Sequence, residues 1–290
     1  MKLPAFAHHR AESLDDAVAV LAEHGADARV LGGGQSLLPL MALRMSVPEV
    51  LVDITAAPDL LHHTASGMVG AAVTTRTLET DPTTAPLLRA CLAEIGHVEI
   101  RTRGTVCGSL AHADPAAELP ALLLAVEGSV ELAGAGGRRR VAARDFFVGP
   151  YSTAIEDDEL VASVELPAVP AGAGWSVREI ARRTGDFALA GVISVLDVDA
   201  DGRCADARIA LFGVAATPRR AAVAEAVLTG EQVTDELLAE AAARAFDGID
   251  VLGDMHGSAP YRRRAGTRLV ARSLTEAHHR CAHALEAARA

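Results

Sequence analysis

The residues best suited to bind a charged ligand are three glycines followed by two polar residues, GGGQS, at positions 32–36. Glycine has no Cβ, so a ligand can come close to its main-chain N–H group, and the backbone can adopt positive φ. Successive N–H groups in such a turn form a concave site for an anion. The segment predicts a phosphate or pyrophosphate ligand, although glycine runs are also common in surface turns that bind nothing.

The standard nucleotide-binding patterns do not match this segment. A dinucleotide fingerprint needs a glycine close to where Leu37 stands, and Pro39 follows soon after. A P-loop needs Gly-Lys followed by Ser or Thr, and that tripeptide does not occur in the sequence. A phosphate at residues 32–36 would therefore be held by a different architecture.

Composition narrows the classes of protein that the chain can be. Its 290 residues are half apolar, which is enough for two or three packed units without disulfides. A formal charge of −11 and only 3% aromatic residues argue against a nucleic-acid partner. The basic runs are residues 138–140, in a predicted hairpin, and 262–264, in a predicted helix. We expect both runs to be solvated or to face another subunit.

The cysteines are too far apart to hold a metal cluster. Cys91, Cys107, Cys204 and Cys281 include no C-x-x-C pair, so an iron–sulfur cluster or structural zinc in this chain alone is not expected. No stretch reaches ~18 consecutive apolar residues, which predicts no membrane span, and the N-terminus lacks an apolar signal core. We predict a cytoplasmic protein with reduced thiols.

Local patterns predict an α+β chain. Ser13 is a good N-cap for a helix with Leu14, Ala17 and Leu21 on its buried face, and Gly25 ends it. With strands at 29–31 and 50–54, this makes a first subdomain of about residues 1–57. The second subdomain, 58–170, has predicted strands at 68–73 and 160–166, helices at 85–95 and 116–126, the second kinked by Pro120, and a hairpin at 129–143.

A proline- and glycine-rich stretch, PAVPAGAG at 167–174, predicts a linker. It separates a first domain, 1–170, from a second, 175–290. The second domain has predicted antiparallel strands at 176–181, 190–198 and 207–214, followed by helices near 219–228, 234–246 and 258–288.

Four segments, in order, resemble one known family. They begin GGGQSLLPL at residue 32, RTRGTVCGSL at 101, DFFVGPYSTA at 145 and GDMHGSAPYRR at 253. Together they resemble the flavoprotein (medium) subunit of the molybdenum hydroxylases, which include carbon monoxide, xanthine and nicotine dehydrogenases. The resemblance implies a two-subdomain, PCMH-like FAD-binding domain followed by a C-terminal α/β domain with a three-stranded antiparallel sheet and helices.

The resemblance implies FAD as the cofactor, with its pyrophosphate between two glycine-bearing turns. The implied contacts in these turns are Gly32, Gly33, Gly34, Gln35, Ser36, Thr105, Val106, Cys107, Gly108 and Ser109. Asp114 and Glu118 are implied near the adenosine half, because carboxylates accept hydrogen bonds from ribose hydroxyls; both also suit a helix N-terminus. Val161 is a candidate contact of adenine and Phe187 of the isoalloxazine, with ordinary core residues as the alternatives.

One departure from the family concerns Cys107, which stands where the second motif commonly has glycine. A small buried side chain is one interpretation and a thiol beside the flavin is the other. The resemblance further implies an iron–sulfur small subunit and a molybdenum large subunit as partners, in a dimer of heterotrimers, with an external electron acceptor. It implies no catalytic residue and no metal ligand in this chain. Alternatives are an assembly subunit that has lost FAD and a self-contained FAD oxidase.

Overall fold

In the computed structural model of the protein, residues 2–289 are described, and side chains are described for residues 2–282. The strands are β1 (Ala7–Arg10), β2 (Ala28–Leu31), β3 (Val50–Asp53), β4 (Met68–Gly70), β5 (Ser129–Gly134), β6 (Gly137–Ala142), β7 (Phe147–Gly149), β8 (Ser152–Thr153), β9 (Leu160–Glu165), β10 (Gly174–Ala181), β11 (Ala188–Val198), β12 (Cys204–Phe212) and β13 (Arg219–Arg220). The helices are α1 (Leu14–His24), α2 (Leu37–Ala42), α3 (Thr75–Thr80), α4 (Pro86–Glu94), α5 (Val98–Arg101), α6 (Val106–His112), α7 (Glu118–Ala125), α8 (Ala143–Phe146), α9 (Ala222–Leu228), α10 (Asp235–Arg244) and α11 (Ala259–Arg289). The predicted α+β class is confirmed.

Contacts divide the chain into two compact units. The first unit consists of Met1–Ala85, Ile95–Ala113 and Gly128–Pro167. The second unit consists of Pro86–Glu94, Asp114–Glu127 and Ala168–Ala290. Two short segments from the N-terminal half of the sequence therefore pack with the C-terminal half. The domain boundaries at 57 and 170 stay predictions.

A parallel sheet with the order β1-β3-β2 opens the first unit. Helix α1 packs on β2 and β3, and its ends are as predicted. The Ser13 hydroxyl accepts a hydrogen bond from the Asp16 N–H at 3.1 Å, and Gly25 ends the helix with φ 49°. Strand β1 is not predicted by the sequence pattern, because AHHR is short and polar; its pairing with β3 defines it.

The second sheet of the first unit is antiparallel, with the order β4-β9-β5-β6. The predicted hairpin is present, with Gly134 opposite Gly137. Strand β4 is shorter than the predicted 68–73, because the Val73 N–H bonds to the Gly70 carbonyl at 3.1 Å and closes a turn. Buried side chains of β5 and β9, among them Val164, form the core of this sheet.

The second unit contains an antiparallel sheet with the order β10-β11-β12-β13. The three long strands are those predicted. Helix α11 packs on β10 and β11, and α7 and α9 pack on β12. The predicted helix at 219–228 begins only at Ala222, because Arg219 and Arg220 pair with β12 as the short strand β13. Pro120 does not split α7, since it lies in the first turn, where no intrahelical N–H bond is lost.

The two basic runs have different surroundings. The run at 138–140 lies on β6, and its arginines make exposed ion pairs with Glu131, Glu159 and Glu165, which agrees with a solvated face. In the run at 262–264, Arg262 contradicts the expectation, because it is only 7% exposed, whereas Arg263 and Arg264 are exposed. Main-chain carbonyls and Asp254 surround the Arg262 guanidinium and compensate the loss of water.

Candidate functional site

The two glycine-bearing turns lie against each other in the first unit. We define glycine loop 1 as residues 32–36 and glycine loop 2 as residues 103–109. A Cβ built on Gly33 would lie 2.0 Å from the Arg103 carbonyl oxygen, and one on Gly32 would lie 3.1 Å from the Thr105 hydroxyl oxygen. The loops that the resemblance places around a pyrophosphate are thus in direct contact.

Glycine loop 2 is fixed by hydrogen bonds from both sides. The Thr105 hydroxyl accepts from the Gly108 N–H at 3.0 Å and caps α6. The hydroxyl of Thr75 lies 2.9 Å from the Gly104 carbonyl and 3.0 Å from that of Arg101, and the Thr75 N–H donates to Gly104 at 2.8 Å. These bonds attach the loop to the start of α3 and to the first turn of α6.

Glycine loop 1 is held by its own backbone geometry. Gly34 has φ 73°, a conformation that side chains disfavour. The Gln35 amide donates to the Gly33 carbonyl at 3.2 Å. Ser36 stands at the N-cap position of α2, but its hydroxyl makes no capping bond. The loop therefore presents a side-chain amide and a hydroxyl together with its main chain.

The main-chain N–H groups of glycine loop 1 are the feature that suits an anion. Among residues 2–289, the hydrogen bonds include none donated by the N–H groups of residues 32–36. All five residues are partly exposed. Main-chain donors without an acceptor are costly to bury and are normally paired with water or a ligand. The residues present therefore fit a diphosphate held by main-chain donors.

The sequence alone explains only in part why residue 33 is glycine. The glycine run suggests space for a ligand, whereas the Cβ of residue 33 would collide with Arg103 and Gly104 of glycine loop 2. Sequence reasoning missed these two residues as part of the site, because their contact with Gly33 joins segments about 70 positions apart. Small residues facing each other across two glycine-bearing turns are the signal that points to such packing.

Three of the predicted contacts have buried side chains. Val106 is fully buried and Cys107 is 2% exposed. The Cys107 thiol lies 3.6 Å from the Val69 carbonyl, and burial raises the pKa of this thiol to about 12. The thiol is therefore a protonated, buried group, which favours the interpretation of a small core side chain. Val161 lies on β9 and is 5% exposed.

The other predicted contacts belong to the second unit. The Asp114 carboxylate accepts from the Ala116 N–H at 2.8 Å, in a turn that precedes α7. Glu118 begins α7 and is buried, and this burial raises the pKa of its carboxyl to about 7, with Asp114 and Glu94 as further causes. Phe187 is 67% exposed, so it is not a core aromatic. Contacts of these three residues with FAD stay predictions.

Among the described side chains, no group of three or more His, Cys, Asp or Glu residues could hold a metal ion. Within the same part of the chain, no helix is long and apolar enough to cross a membrane.

Comparison with known families identifies the two parts of the chain. The family described as the FAD binding domain in molybdopterin dehydrogenase matches residues 4–169, and the CO dehydrogenase flavoprotein C-terminal domain matches residues 175–277. The chain belongs to this family of FAD-binding medium subunits of molybdenum-containing hydroxylases. It is therefore a subunit of an oxidoreductase, and its cofactor is FAD.

Individual relatives match over nearly the full length. The nicotine 6-hydroxylase medium subunit of Paenarthrobacter nicotinovorans is 40% identical over 283 residues, covering 96% of this chain and 99% of the relative. A carbon monoxide dehydrogenase structure from Hydrogenophaga pseudoflava superposes with a TM-score of 0.92 at 38% identity, covering 97% and 100%. Quinoline 2-oxidoreductase from Pseudomonas putida 86 gives a TM-score of 0.90 at 39% identity, covering 96% and 99%. The family expected from the sequence is confirmed.

Proposed function

We propose that this chain is the electron-transfer subunit of a molybdenum hydroxylase complex. It accepts electrons from the iron–sulfur clusters of a small subunit, after substrate is oxidised at the molybdenum cofactor of a large subunit, and passes them to an external acceptor. FAD supplies the redox chemistry when bound, and the protein supplies binding and orientation. The names of the relatives, which are medium chains of dehydrogenases and hydroxylases, support this role.

The contact between the two glycine loops is the observation on which the proposal rests. It brings the main chain of residues 32–36 next to the start of α6. In this proposal the main-chain donors hold the pyrophosphate, and the Gln35 and Ser36 side chains add polar contacts. Asp114, Glu118 and Phe187 are proposed FAD contacts from the resemblance alone.

The partners are also proposed from the relatives. The described residues contain no metal-binding group, so iron–sulfur clusters in this proposal belong to a separate chain. A heterotrimer that pairs into a dimer is the assembly that we infer. The cytoplasmic location stays a prediction, and it agrees with four cysteines that are free thiols.

The cofactor part is tested by titrating the purified chain with FAD. Gly32→Val is the sharper variant, because a Cβ at residue 32 meets only the Thr105 side chain, whereas one at Gly33 meets backbone. We expect Gly32→Val to keep its fold, by circular dichroism, and to weaken FAD binding by about tenfold or more. Gly136→Val is the control, since a Cβ at residue 136 has no atom within 4 Å. Equal FAD affinity of both variants would contradict the assignment of the loops.

The electron-transfer part is tested by identifying the chains that co-purify with this one. We expect an iron–sulfur chain and a molybdenum chain, and anaerobic addition of substrate to the complex should bleach the flavin absorbance. Isolated medium subunit should show no substrate turnover. Turnover by the isolated chain would identify a self-contained oxidase, and a colourless chain that binds no added FAD would identify an assembly subunit.

A further inference from the structure

Arg262 is a buried arginine with an unusually complete set of partners. Its Nη1 donates to the Leu189 carbonyl at 2.9 Å and to the Gly213 carbonyl, and its Nε donates to the Gly257 carbonyl at 3.2 Å. Its Nη2 lies 2.6 Å from a carboxylate oxygen of Asp254. The rigid fork of a guanidinium is suited to joining several acceptors at fixed angles. The residue therefore connects three separate stretches of the second unit.

The turn around Asp254 holds this guanidinium in place. The other carboxylate oxygen of Asp254 accepts from the N–H groups of His256 at 2.8 Å and Gly257 at 3.1 Å. Partial burial alone would raise the pKa of Asp254, but the hydrogen bonds from Arg262 and from the His256 N–H hold this pKa below its usual value. The carboxylate is thus ionised and fixed opposite Arg262.

The turn contacts the start of the segment 182–189, and Arg262 contacts its end. Residues 182–187 form the loop between β10 and β11, and Ala188 and Leu189 are buried in β11. At its start, the Arg182 guanidinium lies 3.1 Å from the Nδ1 of His256. At its end, the Leu189 carbonyl accepts from Arg262. Phe187 lies between these ends and is exposed, and Gly185 makes the tight turn with φ 80°. Within the loop, the Asp186 N–H donates to the Arg183 carbonyl at 3.1 Å, and Ala181 pairs with Ala188 across its base. The contacts of His256 and Arg262 add to these bonds at the two ends of the segment.

Gly213 extends this arrangement to a neighbouring stretch. Its carbonyl accepts from Arg262, and its N–H donates to the Pro115 carbonyl at 2.8 Å. A Cβ on Gly213 would lie 2.7 Å from the Ala188 carbonyl oxygen, so only glycine allows this approach. Arg262 therefore holds two carbonyls at once. One belongs to Leu189, two positions after Phe187, and the other to Gly213, whose N–H bonds to Pro115.

We propose that Arg262 is a positioning residue, which orders the segment 182–189 and thereby sets the orientation of Phe187 toward the flavin. The ordering depends only on contacts within the second unit. The effect on the flavin rests on the proposed function, since it needs bound FAD near Phe187. The two parts are tested separately.

The ordering is tested without cofactor by limited trypsin digestion of the 290-residue chain. Arg182 and Arg183 are exposed cleavage sites inside the segment. We expect Arg262→Gln to raise the cleavage rate after these two residues by about tenfold, because cleavage follows local opening. Arg263→Gln is the matched control: Arg263 lies on the same helix, but it donates to the carbonyls of Phe246 and Ile249 instead. Equal cleavage rates in both variants would overturn the proposal.

A milder variant covers the case in which Arg262→Gln does not fold. His256→Ala removes only the contact with Arg182, on an exposed side chain. We expect a smaller rise in cleavage after Arg182 and Arg183, with an unchanged thermal midpoint. A cleavage rate equal to that of the unsubstituted chain would show that the turn does not order the segment.

The effect on the flavin is measured by visible circular dichroism of the FAD-loaded chain, which reports the asymmetry around the isoalloxazine. We expect Arg262→Gln, or His256→Ala if needed, to change this spectrum in the same direction as Phe187→Ala. In a Phe187→Ala background, neither substitution should add a further change. A spectrum that stays unchanged would refute the flavin part of the proposal. A chain that binds no FAD would instead refute the proposed function, while the digestion result would stand.

Discussion

The glycine loops of the first unit and the segment 182–189 of the second unit are held in contrasting ways. In the glycine loops, backbone packs directly on backbone, as at Gly33 against Arg103. At the end of the segment, the long side chain of Arg262 reaches the Leu189 carbonyl from a helix, and it also reaches the Gly213 carbonyl of a neighbouring stretch. The first arrangement leaves no room for an added atom, and the second leaves carbonyls unpaired when a donor is removed. Each region should therefore be sensitive to a different kind of substitution.

The largest effect should come from removing the buried charge. We expect Arg262→Gln to lower the free energy of unfolding by about 4 kcal/mol, because Asp254 and several carbonyls lose their donor. Urea unfolding followed by circular dichroism measures this change. Arg264→Gln, on the exposed side of the same helix, should cost less than about 0.5 kcal/mol. Similar losses in both variants would show that burial of Arg262 is not the cause.

In the glycine loops, an added side chain should lower the free energy of unfolding. Gly33→Val should cost about 3 kcal/mol, because the new side chain forces glycine loop 2 away. Gly136→Val should be tolerated, since that glycine lies in an open hairpin turn. The two midpoints of urea unfolding give the comparison. A stable Gly33→Val chain would mean that the loops can separate at little cost.

The two units should also respond differently to pH, because the second unit contains a buried acid, Glu118. Burial raises the pKa of Glu118 to about 7. The folded chain therefore keeps a proton that the unfolded chain has already lost, and stability falls as pH rises from about 4.5, the ordinary value, to about 7. We expect Glu118→Gln to gain about 3 kcal/mol at pH 8 and less than about 1 kcal/mol at pH 5.

Unfolding at both pH values tests the role of Glu118. Glu156→Gln, on an exposed loop of the first unit, is the control and should change stability equally little at each pH. A gain from Glu118→Gln that is the same at pH 5 and pH 8 would point to packing and not to ionisation.

The smallest predicted effect concerns the cap of α6. Thr105→Ala should cost about 1 kcal/mol, because the Gly108 N–H loses its acceptor. Thr105→Ser should restore most of this loss, since it keeps the hydroxyl. Thermal denaturation of the three chains provides the measurement, and a Ser variant as weak as the Ala variant would exclude the cap as the reason.

Elements that depend on local chemistry could be predicted from the sequence. The start of α1 follows from Ser13 and its end from Gly25, because capping needs only residues within one turn. The hairpin of β5 and β6 follows from its glycines in the same way. The order of the motifs was sufficient to identify the family and FAD.

Features that depend on distant partners could not be predicted. The Leu189 carbonyl lies 73 positions before Arg262, so the sequence gives no sign that this arginine is buried. Strand β1 exists because β3 pairs with it, and Gly33 is needed because Arg103 approaches it. The exposure of Phe187 and the burial of Val161 likewise depend on what packs around them in space, which the local sequence does not show.

All four cysteines are free thiols and buried, and each unit contains at least one of them. Their reaction with a reagent can therefore report local unfolding of each unit separately. Burial raises the pKa of every one of these thiols, so the reactive thiolate is scarce in the native chain. An alkylating reagent will modify Cys107 only when the first unit opens, and Cys91, Cys204 and Cys281 only when the second does. Mass spectrometry of alkylated peptides would therefore measure the opening rate of each unit in the unsubstituted protein.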